Sequence, residues 1–192
     1  MAKKESTLIN MLVALIMVTL VASTALGFVY QVTKEPIAAA KLAKKLDAIQ
    51  KVVPAFDNDP NAEVYKMAVD GDTLHFYPAK NNGELVGTAV ETFTNMGFTT
   101  VIKVMVGLTP DGIIHDVAVL EHKETPGLGD KMERKKSDWS TQFQNKNPKE
   151  FNIAVKKDGG DIDAITASTI SSRAFCDAVN RAYNAYIEGG KK

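Results

Sequence analysis

Five hydroxyl-bearing side chains fall within seven residues of each other, Thr166, Ser168, Thr169, Ser171 and Ser172, in the run Asp163-Ala-Ile-Thr-Ala-Ser-Thr-Ile-Ser-Ser172. An amphipathic pattern follows at once, with Phe175, Val179, Ala182, Tyr183 and Tyr186 sharing one helical face. The hydroxyls therefore stand at the start of a predicted helix. A helix start exposes unpaired N–H groups and a partial positive charge, a setting that favours a phosphate. Ser and Thr side chains can add donors to that phosphate. Helix capping is the plainer reading, with Ser171 or Ser172 as the predicted N-cap. Capping uses one or two hydroxyls and does not account for five.

A second segment, Glu121-His-Lys-Glu-Thr-Pro-Gly-Leu-Gly-Asp-Lys131, places Pro126, Gly127 and Gly129 close together after a predicted strand. Glycine allows positive φ and close approach of backbone to a ligand. Backbone N–H groups in such a loop suit a flat heteroaromatic ring and its carbonyl oxygens. An ordinary surface turn is the alternative, because Gly/Pro clusters mark turns.

Other chemistry is narrowed by what the chain carries. Cys176 is the only cysteine, which excludes an internal disulfide and Cys-ligated metal or iron–sulfur sites. His75, His115 and His122 have no paired helical spacing of the kind zinc sites use. The 23 basic residues balance 23 acidic ones, so the charge footprint of a nucleic-acid binder is missing and no nucleic-acid partner is predicted. Any redox chemistry must come from an organic cofactor. No Gly-rich dinucleotide fingerprint appears. A hydrolase using Ser168 or Thr169 as nucleophile would need a positioned base, and the nearest histidine in sequence is His122.

The elements that must position these segments are legible in outline. No charged residue occurs from Ser6 to Thr33, and residues 8–30 are dominated by Leu, Val, Ile, Met and Ala. A membrane span needs about 20 such residues. The pattern predicts an uncleaved anchor over 8–30, a short tail over 1–7 and one domain over 31–192. A cleaved signal peptide is the alternative, with the small residues Ala22, Ala25 and Gly27 where a cleavage site would fall. Flanking lysines (Lys3 and Lys4 before; Lys34, Lys41, Lys44 and Lys45 after) leave orientation ambiguous by charge alone. The short tail favours a cytoplasmic N-terminus. Asn10, Thr19, Ser23 and Thr24, with Ala14 and Ala22, offer a face for a partner helix.

After the span, Glu35-Pro36 predicts a helix start, with Ile37, Leu42, Leu46, Ile49 and Val53 in helical spacing and Pro54 as its end. Residues 64–69, 73–77, 85–93, 100–108 and 113–121 read as strands, punctuated by Asp70-Gly71, Asn82-Gly83 and Asp111-Gly112 turns. Residues 139–143 read as a short helix and 151–155 as one more strand. Strands between terminal helices predict an α+β domain with an antiparallel sheet flanked by helices.

Together the two chemical segments resemble the flavin-binding domain of the G subunit of the Rnf electron-transport complex. They also resemble its relative, the C subunit of the sodium-translocating NADH:quinone reductase. Those proteins share one N-terminal membrane helix, a Glu-Thr-Pro-Gly-Leu-Gly loop and an Asp-x-x-(Ser/Thr)-Gly-Ala-Thr segment. Glu124 through Gly129 match without a gap, and Asp130-Lys131 and the chain length are closer to the Rnf form.

The resemblance implies covalent FMN, joined through its phosphate to the Thr169 oxygen by a separate flavin transferase. Asp163 matches the modification motif's aspartate and Thr166 its first hydroxyl, while Ala167 stands for the usual Gly and Ser168 for the usual Ala. Ser171 is the next acceptor. The ring is expected against Thr125, Gly127, Leu128 and Gly129, with Glu124, Thr166, Ser168 and Lys131 completing the cofactor-binding set. The implied role is an electron carrier, not catalytic alone. It would work among partner subunits of a bacterial inner-membrane complex linking ferredoxin and NAD to ion movement, with the domain outside the cytoplasm. The quinone-reductase relative, or a non-redox anchored binding or assembly module on the same fold, are the alternatives.

Overall fold

The structure, a computed structural model, describes residues 7–69 and 71–190. The flanking Lys3, Lys4 and Glu5, the rest of the tail before Thr7, and the turn residue Asp70 lie outside the described residues. Contacts divide the chain into two units, one ending at Ala43 and one beginning at Lys44.

The first unit is helical. It forms most of α1, which runs Leu8–Val52 over 45 residues. This helix is long and apolar enough to cross a membrane. Its hydroxyls are satisfied from within. Thr19 donates to the Leu15 carbonyl at 2.9 Å, Thr24 to Leu20 at 2.8 Å and Thr33 to Val29 at 2.8 Å. Such back-bonding removes the polar groups' need for a partner helix.

The helix predicted to open at Glu35-Pro36 does not start there, because Pro36 lies inside α1. Proline removes one backbone donor. The Ala38–Ala39–Ala40 run beyond it consists of the strongest helix former and carries the helix onward. The predicted apolar stripe is buried only at its far end. Ile37 and Leu42 are exposed, whereas Ile49 and Val53 are buried.

The second unit is the α+β domain. Its sheet is an antiparallel five-stranded meander in the order β1 (Tyr65–Val69), β2 (Asp72–Asn81), β3 (Glu84–Thr94), β4 (Ile102–Leu108), β5 (Ile114–Glu121). Asn82 and Gly83 both have positive φ, 51° and 83°, as the two-residue β2–β3 turn requires.

Alternate strand residues face opposite layers. Leu74, Phe76, Val90, Val104 and Val106 pack beneath α2 (Thr169–Ala185), whose Phe175, Val179 and Ala182 are fully buried. Tyr77, Ala79, Ala89 and Met105 pack beneath Ala48, Ile49, Val52 and Val53 at the end of α1. This outer layer is fastened by Lys45, which reaches the Glu91 carboxylate at 2.9 Å, while the Tyr77 hydroxyl donates to the same oxygen at 2.9 Å. Burial, then the Glu91 charge, pushes the Tyr77 phenol up to about 12.

Other predicted elements differ too, and β2 runs on to Asn81, beyond the predicted 73–77. Residues 100 and 101 belong to a loop, and β4 begins at Ile102. Residues 151–155 form no strand. Ile153 and Val155 are buried in the core, but only Val155 makes a bridge, to Ile162. That bridge is tight because Gly160 sits where a Cβ would be 2.0 Å from the Ala154 carbonyl oxygen. The predicted helix over 139–143 is a 3-10 turn, Asp138–Phe143, whose Trp139 N–H is capped by Ser137. Trp139 packs edge-on against Phe143 and Phe175.

Candidate functional site

The two chemical segments, some forty residues apart in sequence, are brought to one place. A cavity of about 360 Å³ is lined by Glu124, Thr125, Leu128 and Gly129 from one side and by residues 167–171 from the other. That volume lies within the range of ligand sites, about 300–1,000 Å³. Phe98 closes a third side. Phe98, Leu128 and Ile170 form apolar walls that remain partly open to solvent.

Phe98 and the 95–101 loop carried no functional reading from sequence. The available signal was Met96 and Phe98, two large apolar residues in a loop, exposed at 57% and 66%. Ile170 was likewise hidden, as an apolar residue off the buried face of α2.

The helix begins earlier than predicted. Ser168 is the N-cap of α2, and Ser171 and Ser172 lie inside its first turn, both buried. Ser172 is a structural hydroxyl. It accepts from the Ile165 N–H at 2.9 Å and donates to the Ser168 carbonyl at 3.0 Å. Ser171 donates to Glu124 Oε2 at 2.5 Å, and Ser168 Oγ lies 2.8 Å from Ser171 Oγ. Thr166 is exposed and does not line the cavity. That leaves Thr169, the first residue of α2, which lines the cavity. Its hydroxyl has no hydrogen-bond partner among the described residues.

The Ser168 side chain makes no cap hydrogen bond. The first intrahelical bond runs from the Ser172 N–H to the Ser168 carbonyl. The N–H groups of Thr169, Ile170 and Ser171 therefore have no acceptor among the described residues. Uncapped donors at a helix start facing a cavity are a fitting set for a phosphate. The apolar walls suit a flat ring system. The residues present thus fit a flavin mononucleotide in both of its chemical halves.

Glu124 is buried at 5% exposure. Its Oε1 accepts from the Thr99 N–H at 3.3 Å and its Oε2 from Ser171. Its own N–H donates to His122 Nδ1 at 3.1 Å. His122 Nδ1 is therefore the acceptor nitrogen, and Nε2–H donates to Glu133 at 2.8 Å. The glycines around the carboxylate leave room for it. A Cβ at Gly129 would lie 2.9 Å from Oε2, and one at Gly97 would lie 3.1 Å from Oε1.

Three other predicted site residues lie off the cavity lining. Gly127 sits at the loop tip with φ +80° and open space around it. The carbonyl of Lys131 accepts from the Ser137 hydroxyl. Asp163 pairs with Lys156 at 2.7 Å, and its backbone is held by the side chains of Trp139 and Gln142. It thus braces the loop leading into α2.

Ala167 has φ +60°, in the left-handed region. A side chain there costs about 1–2 kcal/mol, which glycine avoids. Ala167→Gly is expected to stabilise the domain by about 1 kcal/mol. Equilibrium urea unfolding followed through Trp139, the one tryptophan, checks it; a lower midpoint would contradict the strain argument.

The FMN-binding domain family matches residues 97–184, from the Phe98 loop to the end of α2. The G subunit of the ion-translocating oxidoreductase complex of Erwinia tasmaniensis is 39% identical over 166 residues, covering 82% of this chain and 79% of its own. The same protein of Aliivibrio fischeri is 36% identical over 191 residues, covering 93% and 88%. That of Haemophilus influenzae strain PittEE is 37% identical over 164 residues, covering 80% and 77%. Similarity on this scale reaches beyond the cavity to the apolar helix, and with it the chain belongs to the G-subunit family of the ion-translocating oxidoreductase complex.

Proposed function

We infer that this protein is the flavin-bearing electron-carrier subunit of an Rnf-type ion-translocating oxidoreductase complex, with FMN attached through its phosphate to Thr169. The observation that carries the reading is the Thr169 hydroxyl, unengaged, at an uncapped helix start on the cavity wall. When bound, the flavin supplies reversible electron acceptance. The chain's own residues do the rest. The open N–H groups of Thr169, Ile170 and Ser171 hold the phosphate. Phe98, Leu128 and Ile170 exclude water from the ring faces. Glu124, Thr125, Leu128 and Gly129 set ring position, and nearby dipoles tune its electronics.

Attachment replaces the Thr169 O–H bond by an O–P bond. The bond that would break is the P–O–P linkage of an activated flavin phosphoanhydride: the flavin keeps its own phosphate, the distal phosphate-bearing fragment would leave with the bonding electron pair, and the hydroxyl proton would pass to solvent. A separate flavin transferase performs it. A covalent bond prevents cofactor loss on the extracytoplasmic face of the bacterial inner membrane, where residues 31–192 reside, held by the span over 8–30 with residues 1–7 in the cytoplasm. Electrons arrive from and leave to other subunits of the complex.

Thr169→Ala is the test. The wild-type chain, purified from cells with an active flavin transferase, is expected to carry a mass increment of one FMN on the peptide holding Thr169. The variant is expected to carry none and to lose the yellow colour that survives denaturation. An unmodified wild-type chain from such cells would sink the reading.

A further inference from the structure

Ser171 has one hydroxyl hydrogen, and Glu124 Oε2 takes it at 2.5 Å. In the 2.8 Å contact between Ser168 and Ser171, Ser171 must therefore be the acceptor and Ser168 the donor. A three-member chain results, running from Ser168 through Ser171 to the buried Glu124 carboxylate. It has a consequence at the helix start. An N-cap serine ordinarily lies in extended backbone and accepts from the second or third N–H of the helix. Ser168 lies at φ −138°, ψ 46° and makes no such bond. Its side chain is turned sideways to Ser171 instead.

We propose that Glu124 is a positioning residue of the cofactor site: acting through Ser171, it draws Ser168 off the cap of α2 and so keeps the helix-start donors open for the flavin phosphate beside Thr169. This rests on the reading of Thr169 as the attachment site. The Ser168 hydroxyl itself has no other side-chain partner among the described residues. The same wiring engages both serines that share the cavity wall with Thr169, so that of these three helix-start hydroxyls Thr169 alone stays unbonded. Gly129 and Gly97 belong to this arrangement, since both leave space around the carboxylate.

The test uses the full-length chain in detergent, with two variants. Ser171→Ala cuts the chain and releases Ser168, which is expected to swing onto the cap and accept from the Ile170 N–H or that of residue 171. Amide exchange at these two positions is expected to slow roughly fivefold to tenfold, the equilibrium worth of one cap bond. The rate at which a flavin transferase loads the variant, read by intact mass over time, is expected to fall by a similar factor. The double variant Ser168→Ala/Ser171→Ala has no capping oxygen. Its amides are expected to exchange as fast as in the wild type and its loading rate to recover. It leaves Glu124 Oε2 without its serine partner just as the single variant does, so a merely structural defect would persist in both. Unchanged amide exchange in Ser171→Ala, or a double variant that stays slow, would overturn the proposal. A wild-type chain that is never loaded counts against the attachment site itself, while the exchange measurements still decide the wiring.

Discussion

Gly107→Ala is expected to destabilise the domain by about 3 kcal/mol or more, at the upper end of overpacking costs. Gly107 lies in β4, on the face covered by the end of α1. A Cβ there would stand 1.7 Å from the Val52 carbonyl oxygen and 2.4 Å from its carbon. Both are backbone atoms at the close of a helix, so no side-chain rotation relieves the clash. The helix end must lift from the sheet. That exposes Ala48, Ile49, Val52 and Val53 together with Tyr77, Ala79, Ala89 and Met105, all now buried. Urea unfolding of the detergent-solubilised chain, followed through Trp139, is expected to show a markedly lower midpoint. A midpoint within error of the wild type would mean that α1 does not approach β4 this closely.

Gly129→Ala is expected to cost about 2–3 kcal/mol and, more tellingly, to block flavin attachment at Thr169. A Cβ at this position would lie 2.7 Å from Ser171 Oγ, 2.8 Å from Glu124 Cβ and 2.9 Å from Glu124 Oε2. Two of these are the atoms of the hydrogen bond that joins the 124–129 loop to the first turn of α2. The methyl group forces the two cavity walls apart, and their present separation is what holds Thr169 opposite Leu128 and Phe98. Gly127→Ala is the matched control. It faces open space and lies off the cavity, so its effect is limited to the cost of φ +80°, about 1–2 kcal/mol, with attachment retained. Intact mass for attachment and urea midpoints for stability separate the two. Equal attachment in both variants would show that Gly129 serves only the turn.

The contrast between these two glycines shows where sequence reading stops. Both stand in one motif and both read as residues permitting positive φ or close approach. Only the fold assigns each its reason: a turn at Gly127, and room for the Glu124–Ser171 contact at Gly129. The same division applies to the hydroxyl cluster. Five hydroxyls before an amphipathic helix already pointed to more than capping. Which of them cap, which brace and which face a ligand depends on where the helix starts. The first helical residue is Thr169, two residues before Ser171, and Glu124, from a distant loop, binds the Ser171 hydroxyl in that first turn.

Local pattern by itself determined the apolar span, the five strands, the terminal helix and the two segments with chemistry. Each of these is written in the spacing of neighbouring residues, through periods of two or 3.6 or through turn residues at hairpin ends. The family resemblance added the cofactor, and the similar proteins of the ion-translocating complex and the FMN-binding domain support it. Tertiary structure alone decided the rest. It withheld a ladder from residues 151–155 and brought Phe98 and Ile170 to the cavity. It engaged Ser168 and Ser171 and left Thr169 with its hydroxyl unclaimed. The physical reason is the same in each case. These outcomes depend on hydrogen bonds and steric limits between residues tens of positions apart, such as Glu124 with Ser171 or Gly107 with Val52, and spacing along the chain carries no record of them.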